Sequence, residues 1–333
     1  MSDRREFLKT AATGALLVGS QATLAMAAGV DAPAKAGRSR VVVARDTTLN
    51  GVLDEKKVLA LLDKAMASYT GREKPVEAWK RVIPAAILAG ETIGLKVNGL
   101  GGKGISTHAV LIAAVCERLQ QAGVKPGNIV VWDRDARHLA ACGQTINKDD
   151  HSKVRVIGND VFGYEETETL CGTAKIKLAK MLTEECAMTI NMPILKDHEM
   201  AGVTFAMKNM YGVVDKPNLL HSNNCNPWIA DLNALPQVHK RVRLVIGDAL
   251  ASVAQGGPVF HPEHLWYPNA LIVGEDRVAI DQIAWEMLEA RRKQAGLQDL
   301  AAAGREPKYI ATAANATHKL GTNDMARIHK VEV

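Results

Sequence analysis

Apolar residues in this chain recur in two rhythms, and the rhythms alternate. Short β-branched or apolar runs at Arg40–Ala44, Thr92–Val97, Ile129–Trp132, Val154–Ile157, Lys175–Leu178, Ala187–Ile190, Val242–Ile246 and Leu271–Val273 predict strands. Between them lie stretches with apolar residues three and four apart. Asp54–Tyr69, a segment ending at Gln121, and Asp276–Lys293 predict amphipathic helices, with Asp54 as an N-cap. Pro227–Leu235 predicts a short helix capped by Asn226. Asn159–Thr173 is polar and reads as an insertion, and Ile328–Val333 closes the chain as a basic, β-prone tail. Strands alternating with helices predict an α/β fold, a mostly parallel sheet flanked by helices. Its length suits a single large domain or two lobes over residues 39–333.

Asn191–Val214 is the densest stretch. Pro193 ends the buried run before it, because proline has no N–H for the ladder. Lys196, Asp197, His198 and Glu199 follow within one short loop. Val203, Met207 and Met210 then fall at core spacing, with Thr204 and Lys208 four apart on a neighbouring face, which predicts a helix. Ionisable groups between a buried strand and a buried helix are where open α/β sheets place their sites. His198, Lys208, Lys196 and His108 are therefore the candidate catalytic residues.

A second candidate is the loop Asn98-Gly99-Leu100-Gly101-Gly102-Lys103-Gly104, between a predicted strand and a predicted helix. Glycines let a backbone aim several N–H groups at one point, and a helix N-terminus adds partial positive charge. Lys96, Asn98, Gly99, Gly101, Gly104 and Lys208 are the candidate cofactor- or anion-binding set. Gly99-x-Gly101-x-x-Gly104 formally matches the dinucleotide fingerprint, with Asp133 as the acidic residue. Asp133 lies further on than the usual spacing of about 20 residues. His221, His198 and Asp248 supply nitrogen and oxygen for a metal ion, without any tight HxH or HExxH spacing. His261 and His264 flank Pro262 and read as surface loop. Asp281, inside an apolar helix stripe, needs a partner and reads as structural.

Composition narrows the picture. The formal charge of +5 and 4% aromatic content predict neither nucleic-acid binding nor a base-stacking surface. The opening Arg4-Arg5-Glu6-Phe7-Leu8-Lys9 precedes a mildly apolar run to Ala27, the pattern of a twin-arginine export signal. Residues 1–27 are expected to be cleaved, 28–38 to form a leader, and the product to be periplasmic or otherwise exported with no stable membrane span. The twin-arginine translocase is then an expected partner. Of five cysteines, Cys116 and Cys186 read as core, while Cys142, Cys171 and Cys225 lie in loop-like stretches where a disulfide cannot be assigned.

Asn191-x-Pro193-x-x-Lys196-x-His198, then Gly202-x-Thr204, Lys208-Asn209 and Tyr211-Gly212-Val213, resembles the domain of unknown function 362 family. The resemblance includes Lys96-Val97-Asn98, Thr107-His108, Asp248, Gly256-Gly257-Pro258 and Val278-Ala279-Ile280-Asp281. Some members carry a ferredoxin-like module with Cys-x-x-Cys spacing. That spacing does not occur here, so no iron–sulfur cluster is expected. More locally, His198-x-x-Ala201-Gly202, Lys208 and His221 are similar to the histidine–lysine–histidine succession of lactate racemase-like enzymes. That likeness implies His198 as acid/base, Lys208 as tether of a nickel-pincer nucleotide and His221 as nickel ligand. The expectation is a small anionic ligand bound or acted upon with a metal or cofactor. A non-catalytic anion-binding or accessory protein, a nickel-pincer racemase or epimerase, and an NAD-type oxidoreductase are the alternatives.

Overall fold

Eight strands hydrogen-bond into one sheet: β1 (Ser39–Arg45), β2 (Thr92–Val97), β3 (Ile129–Asp133), β4 (Arg155–Gly158), β5 (Cys186–Met192), β6 (Val242–Ala249), β7 (Ala270–Gly274) and β8 (Ile328–Glu332). Their spatial order is β8-β1-β7-β6-β5-β2-β3-β4. Only β7 runs antiparallel to its neighbours, so the sheet is mixed but mostly parallel, as the alternation of elements predicts. The computed structural model describes residues 38–102 and 104–333. The expected signal peptide, the leader up to residue 37, and Lys103 lie outside them. Among the described residues no helix is long and apolar enough to cross a membrane.

Both faces of the sheet are buried, so its strands read as nearly continuous apolar runs. Val42 and Ala44 of β1 face one core with α1 (Glu55–Thr70) and α2 (Ala109–Gln121). Val41 and Val43 face the other, with α3 (Arg277–Gln294). Asp54 caps α1 by accepting from the Lys57 N–H at 2.8 Å. Asp276 does the same for α3.

The segment after Pro193 departs from expectation. The predicted helix is instead a hairpin, Lys196–His198 against Gly202–Thr204, followed by a 3-10 turn at Lys208–Val213. Three local causes are visible. His198 Nδ1 accepts the N–H groups of Met200 (3.1 Å) and Ala201 (3.2 Å) and turns the chain. Gly202 sits at φ +76°, and a Cβ there would meet the Arg305 carbonyl oxygen at 2.3 Å. Asp281 then accepts the N–H groups of Ala206 (2.6 Å) and Met207 (3.0 Å), which a continuous helix would use internally. Val203, Met207 and Met210 are fully buried all the same. The predicted strand at Lys175–Leu178 shortens to Ala174–Ile176, in a hairpin outside the main sheet. Short helix Trp228–Ala234 has Pro227, not Asn226, at its N-cap. All five cysteines are buried and free, so none of the loop cysteines forms a disulfide.

From β2 the chain passes to β3 and β4 on one side. From β5 it passes to β6 on the other. The strand order therefore reverses between β2 and β5, and their carboxyl ends open the crevice where open α/β sheets bind ligands.

Candidate functional site

At the carboxyl end of β2, Lys96 is 1% exposed. Its Nζ donates to Asp133 Oδ1 on β3 at 2.7 Å and to the Val97 carbonyl at 2.7 Å. Asn209 Oδ1, at 3.4 Å, takes the third donor. Asp133 Oδ2 accepts the Gly99 N–H at 2.7 Å. Burial pushes the Lys96 amine down, against the pull of Asp133. Asp133 is thus a structural tie between strand and loop, not an acid placed for a ribose.

The glycine loop works in the opposite sense to the one its sequence suggests. The N–H groups at its start have partners: Asn98 donates to Thr107 Oγ1 (2.9 Å) and Gly99 to Asp133, while the Thr107 N–H returns to the Asn98 carbonyl (2.9 Å). The anion expected at the start of α2 is Asp248, which accepts the His108 N–H at 2.8 Å. Its carbonyls instead turn inward. Those of Leu100 and Ile105, with Asn98 Oδ1, accept three hydrogen bonds from Lys196 Nζ. Gly101, at φ +113°, supplies a backbone conformation that side chains resist. The loop therefore cradles the Lys196 amine, and the Gly99 N–H is committed to Asp133.

His108 and Asp248 pair with each other, Nδ1 to Oδ2 at 2.8 Å, and Asp248 Oδ1 takes the Leu250 N–H. Burial works against a charged His108 ring, but Asp248 outweighs it and raises the ring above its usual value. Neither residue lines the cavity at the β2–β5 crevice. His108 and Asp248 are thus paired with each other, apart from the cavity that His198 and His221 line.

That cavity, of about 310 Å³, lies at the β2–β5 crevice. Lys96, Asn98, Lys196, His198, Thr204, Lys208, Tyr211 and His221 line it. Lys208 Nζ sits 3.3 Å from His221 Nε2 and 3.6 Å from the centroid of the Tyr211 ring. His221 Nδ1 lies 2.9 Å from the Pro217 carbonyl, which can only accept, so that nitrogen carries the proton and Nε2 offers a lone pair to Lys208. His198 shows the other tautomer. Its Nδ1 accepts backbone N–H groups, so the neutral ring holds its proton on Nε2. The two rings stack with centroids 5.9 Å apart. Thr204 Oγ1 is buried with no partner among the described residues. Thr204 and Tyr211 were not among the candidate site residues, although the Thr204–Lys208 spacing and the family resemblance both touched them.

Hydrogen-bond capacity separates the three lysines. An ammonium has three donors. Lys96 and Lys196 each use all three internally. Lys208 is 7% exposed, contacts only His221 and the Tyr211 ring, and has no carboxylate partner among the described residues. Burial brings Lys208 down to about 8 and Lys196 down to about 7. Burial, then the nearby Lys208 charge, holds His198 at about 2 and His221 at about 4.

These histidines set an acid limit. Depressed rings contribute stability that is complete above the unfolded value of about 6.5 and is lost as pH falls toward the folded values. Below pH 6.5 the unfolded chain gains protons that the folded site refuses. For His198 the slope approaches about 1.4 kcal/mol per pH unit. Asp281, raised to about 7 by burial, works in the other direction. The comparison is therefore between wild type and His198→Gln in urea unfolding from pH 4 to 7. The variant should show a shallower loss on acidification, and parallel curves would refute this origin.

A family model described as a domain of unknown function (DUF362) matches residues 93–286. No curated protein matches. Among solved structures, a protein from Thermotoga maritima is similar at 11% identity and a TM-score of 0.42, over 72% of this chain and 59% of that one. The lactate racemase apoprotein from Thermoanaerobacterium thermosaccharolyticum is similar at 11% identity and a TM-score of 0.34, over 70% of this chain and 54% of that one. This chain spans less than two thirds of either structure, and at these scores neither likeness bears on a reaction.

Proposed function

We infer the function of this chain, which belongs to the domain of unknown function 362 family, from the chemistry of its cavity: it binds a small carboxylate-bearing ligand and moves protons on it. The observation that carries this reading is Lys208, a buried amine that among the described residues has two unused N–H groups and no counter-charge. A buried charge needs a partner. The Nε2–H of His198 and the hydroxyl of Thr204 add two neutral donors to the same space. Lys196 contributes no free donor. His221, fixed by Pro217, is the base beside the amine. The volume sits at the small end of the roughly 300–1,000 Å³ typical of ligand pockets, which suits an acid of a few carbons better than a dinucleotide.

A protein-held metal ion does not fit this donor set. Among the described residues no group of three or more His, Cys, Asp or Glu converges. His198 Nδ1 and Asp248 are committed elsewhere, and the His221 lone pair faces Lys208. The nickel-pincer reading needs that same lone pair and room for a nucleotide, so the small acid is favoured.

Calorimetry with lactate, oxalate and phosphate tests the proposal. Carboxylates should bind, and the affinity should decline as pH rises past about 8, where Lys208 loses its proton. Absence of heat with every anion would remove the reading. Export is a separate proposal resting on Arg4-Arg5 and the apolar run behind them. Replacing both arginines by lysine should leave the uncut chain in the cytoplasm. Unaltered secretion would contradict it.

A further inference from the structure

We propose that Lys208 is a nucleophile, and that the cavity takes small 2-oxo acids, whose carbonyl carbon it captures as an imine. This rests on the carboxylate reading above and adds a substrate class and a bond to it. The argument begins with what surrounds the amine. Most buried lysines are held as ammonium by a carboxylate, as Lys96 is by Asp133 at 2.7 Å, or by a full set of acceptors, as Lys196 is by the loop carbonyls. Lys208 has neither. Its one polar neighbour, His221 Nε2 at 3.3 Å, is a lone pair, which can take a proton from the amine but cannot neutralise its charge. Its other neighbour is the Tyr211 ring face. An amine kept from water beside a base, and open on its remaining side to a cavity, is arranged as a nucleophile. Burial also places Lys208 within reach of its free-base form at mildly alkaline pH.

The chemistry balances with the groups present. The free amine attacks the carbonyl carbon, a C–N bond forms, and the π pair moves to oxygen. His221 Nε2 takes one proton from the nitrogen and passes it to the oxygen, giving the carbinolamine, then takes the second N–H proton and passes it to the departing hydroxyl. His198 donates a hydrogen bond from Nε2–H to that oxygen and keeps its proton. The oxygen leaves as water, carrying the two hydrogens that the amine loses, and a C=N bond replaces C=O. No oxidant or reductant enters, and both imidazoles return to their starting tautomers. Thr204 Oγ1, which has no partner among the described residues, and the Nε2–H of His198 suit the carboxylate of the oxo acid in the same cavity.

Pyruvate is the probe, and lactate, its alcohol counterpart, is the control. The full chain is incubated with each in the presence of cyanoborohydride at pH 8, then read by intact mass and peptide mapping, with calorimetry in parallel. The expected result is one reduced adduct with pyruvate, mapped to Lys208, absent with lactate and diminished by excess oxalate. Lys208→Met should lose the adduct, and His221→Phe should slow its formation without moving it to another lysine. If pyruvate and lactate bind alike and no adduct maps to Lys208, the covalent step is wrong while the carboxylate site stands. If neither ligand binds, both fall together. Adducts confined to exposed lysines overturn the inference.

Discussion

Asp133→Asn is expected to lower the free energy of unfolding by about 3–5 kcal/mol, the range for breaking a buried ion pair from one side. The substitution is nearly isosteric, so the loss comes from charge and hydrogen bonding. Lys96 would keep its place, 1% exposed, with no carboxylate to balance it. The amide would also turn a donor toward either the Lys96 ammonium or the Gly99 N–H, since one of its two positions is NH2. Loosening Gly99 frees the loop whose carbonyls hold Lys196, so the damage should reach the cavity. Urea unfolding followed by circular dichroism measures the effect. The double variant Lys96→Met/Asp133→Leu should recover part of the stability, because well-packed apolar residues can replace a buried pair at little cost. A loss below about 1 kcal/mol would mean that the pair is no more than a surface-type contact.

Lys208→Met should behave in the opposite way, leaving the fold at least as stable while ligand binding collapses. Methionine matches the lysine stem in length, and its thioether packs well against an aromatic ring such as Tyr211. The variant removes a buried amine that has no counter-charge in the described structure. Only the His221 Nε2 loses a partner, and that ring is half-buried, so water can replace it. A hydrogen bond to a charged group contributes about 1.5–3 kcal/mol, so binding of a carboxylate should weaken by roughly 10- to 150-fold. Calorimetry with oxalate and urea unfolding on the same preparation check both halves. A variant that binds oxalate as wild type does would show that Lys208 is not the anchor.

These two residues have similar chemistry in one dimension: each lysine sits beside or within an apolar segment of the same family-like motifs. What distinguishes them is three-dimensional. Lys96 meets a carboxylate 37 residues away, whereas Lys208 meets a histidine only 13 residues away and no acid among the described residues. Grouping His198, Lys208 and His221 was legible, because they lie close in sequence beside a strand end. Placing His108 and Asp248 with them was not. Those two are 140 residues apart, and each is the partner that satisfies the other. The glycine loop misled for a related reason. Glycine spacing shows that a backbone can turn sharply, but not whether its N–H or its C=O groups end up facing the ligand side. Here Thr107 and Asp133 took the N–H groups of Asn98 and Gly99, and the Leu100 carbonyl went to the Lys196 amine.

The periodicities along the chain were sufficient for the elements and the sheet class. Thr92–Val97 is a strand at the expected bounds, and α3 begins one residue later than expected. Such signals are local, since they depend on the side-chain repeat of a strand or helix and on a neighbouring cap. The hairpin at Lys196–Thr204 was decided otherwise, by the Arg305 backbone pressing on Gly202 and by the Asp281 carboxylate reaching across from α3. So was the identity of the reactive lysine. Lys196 is saturated by Leu100 and Ile105, 96 and 91 residues away, and Lys208 stays unsaturated because folding brings no acid to it. Residue type and spacing say which groups can ionise. Which of them remains short of a partner depends on every other segment packed around the cavity, and only tertiary structure determines that.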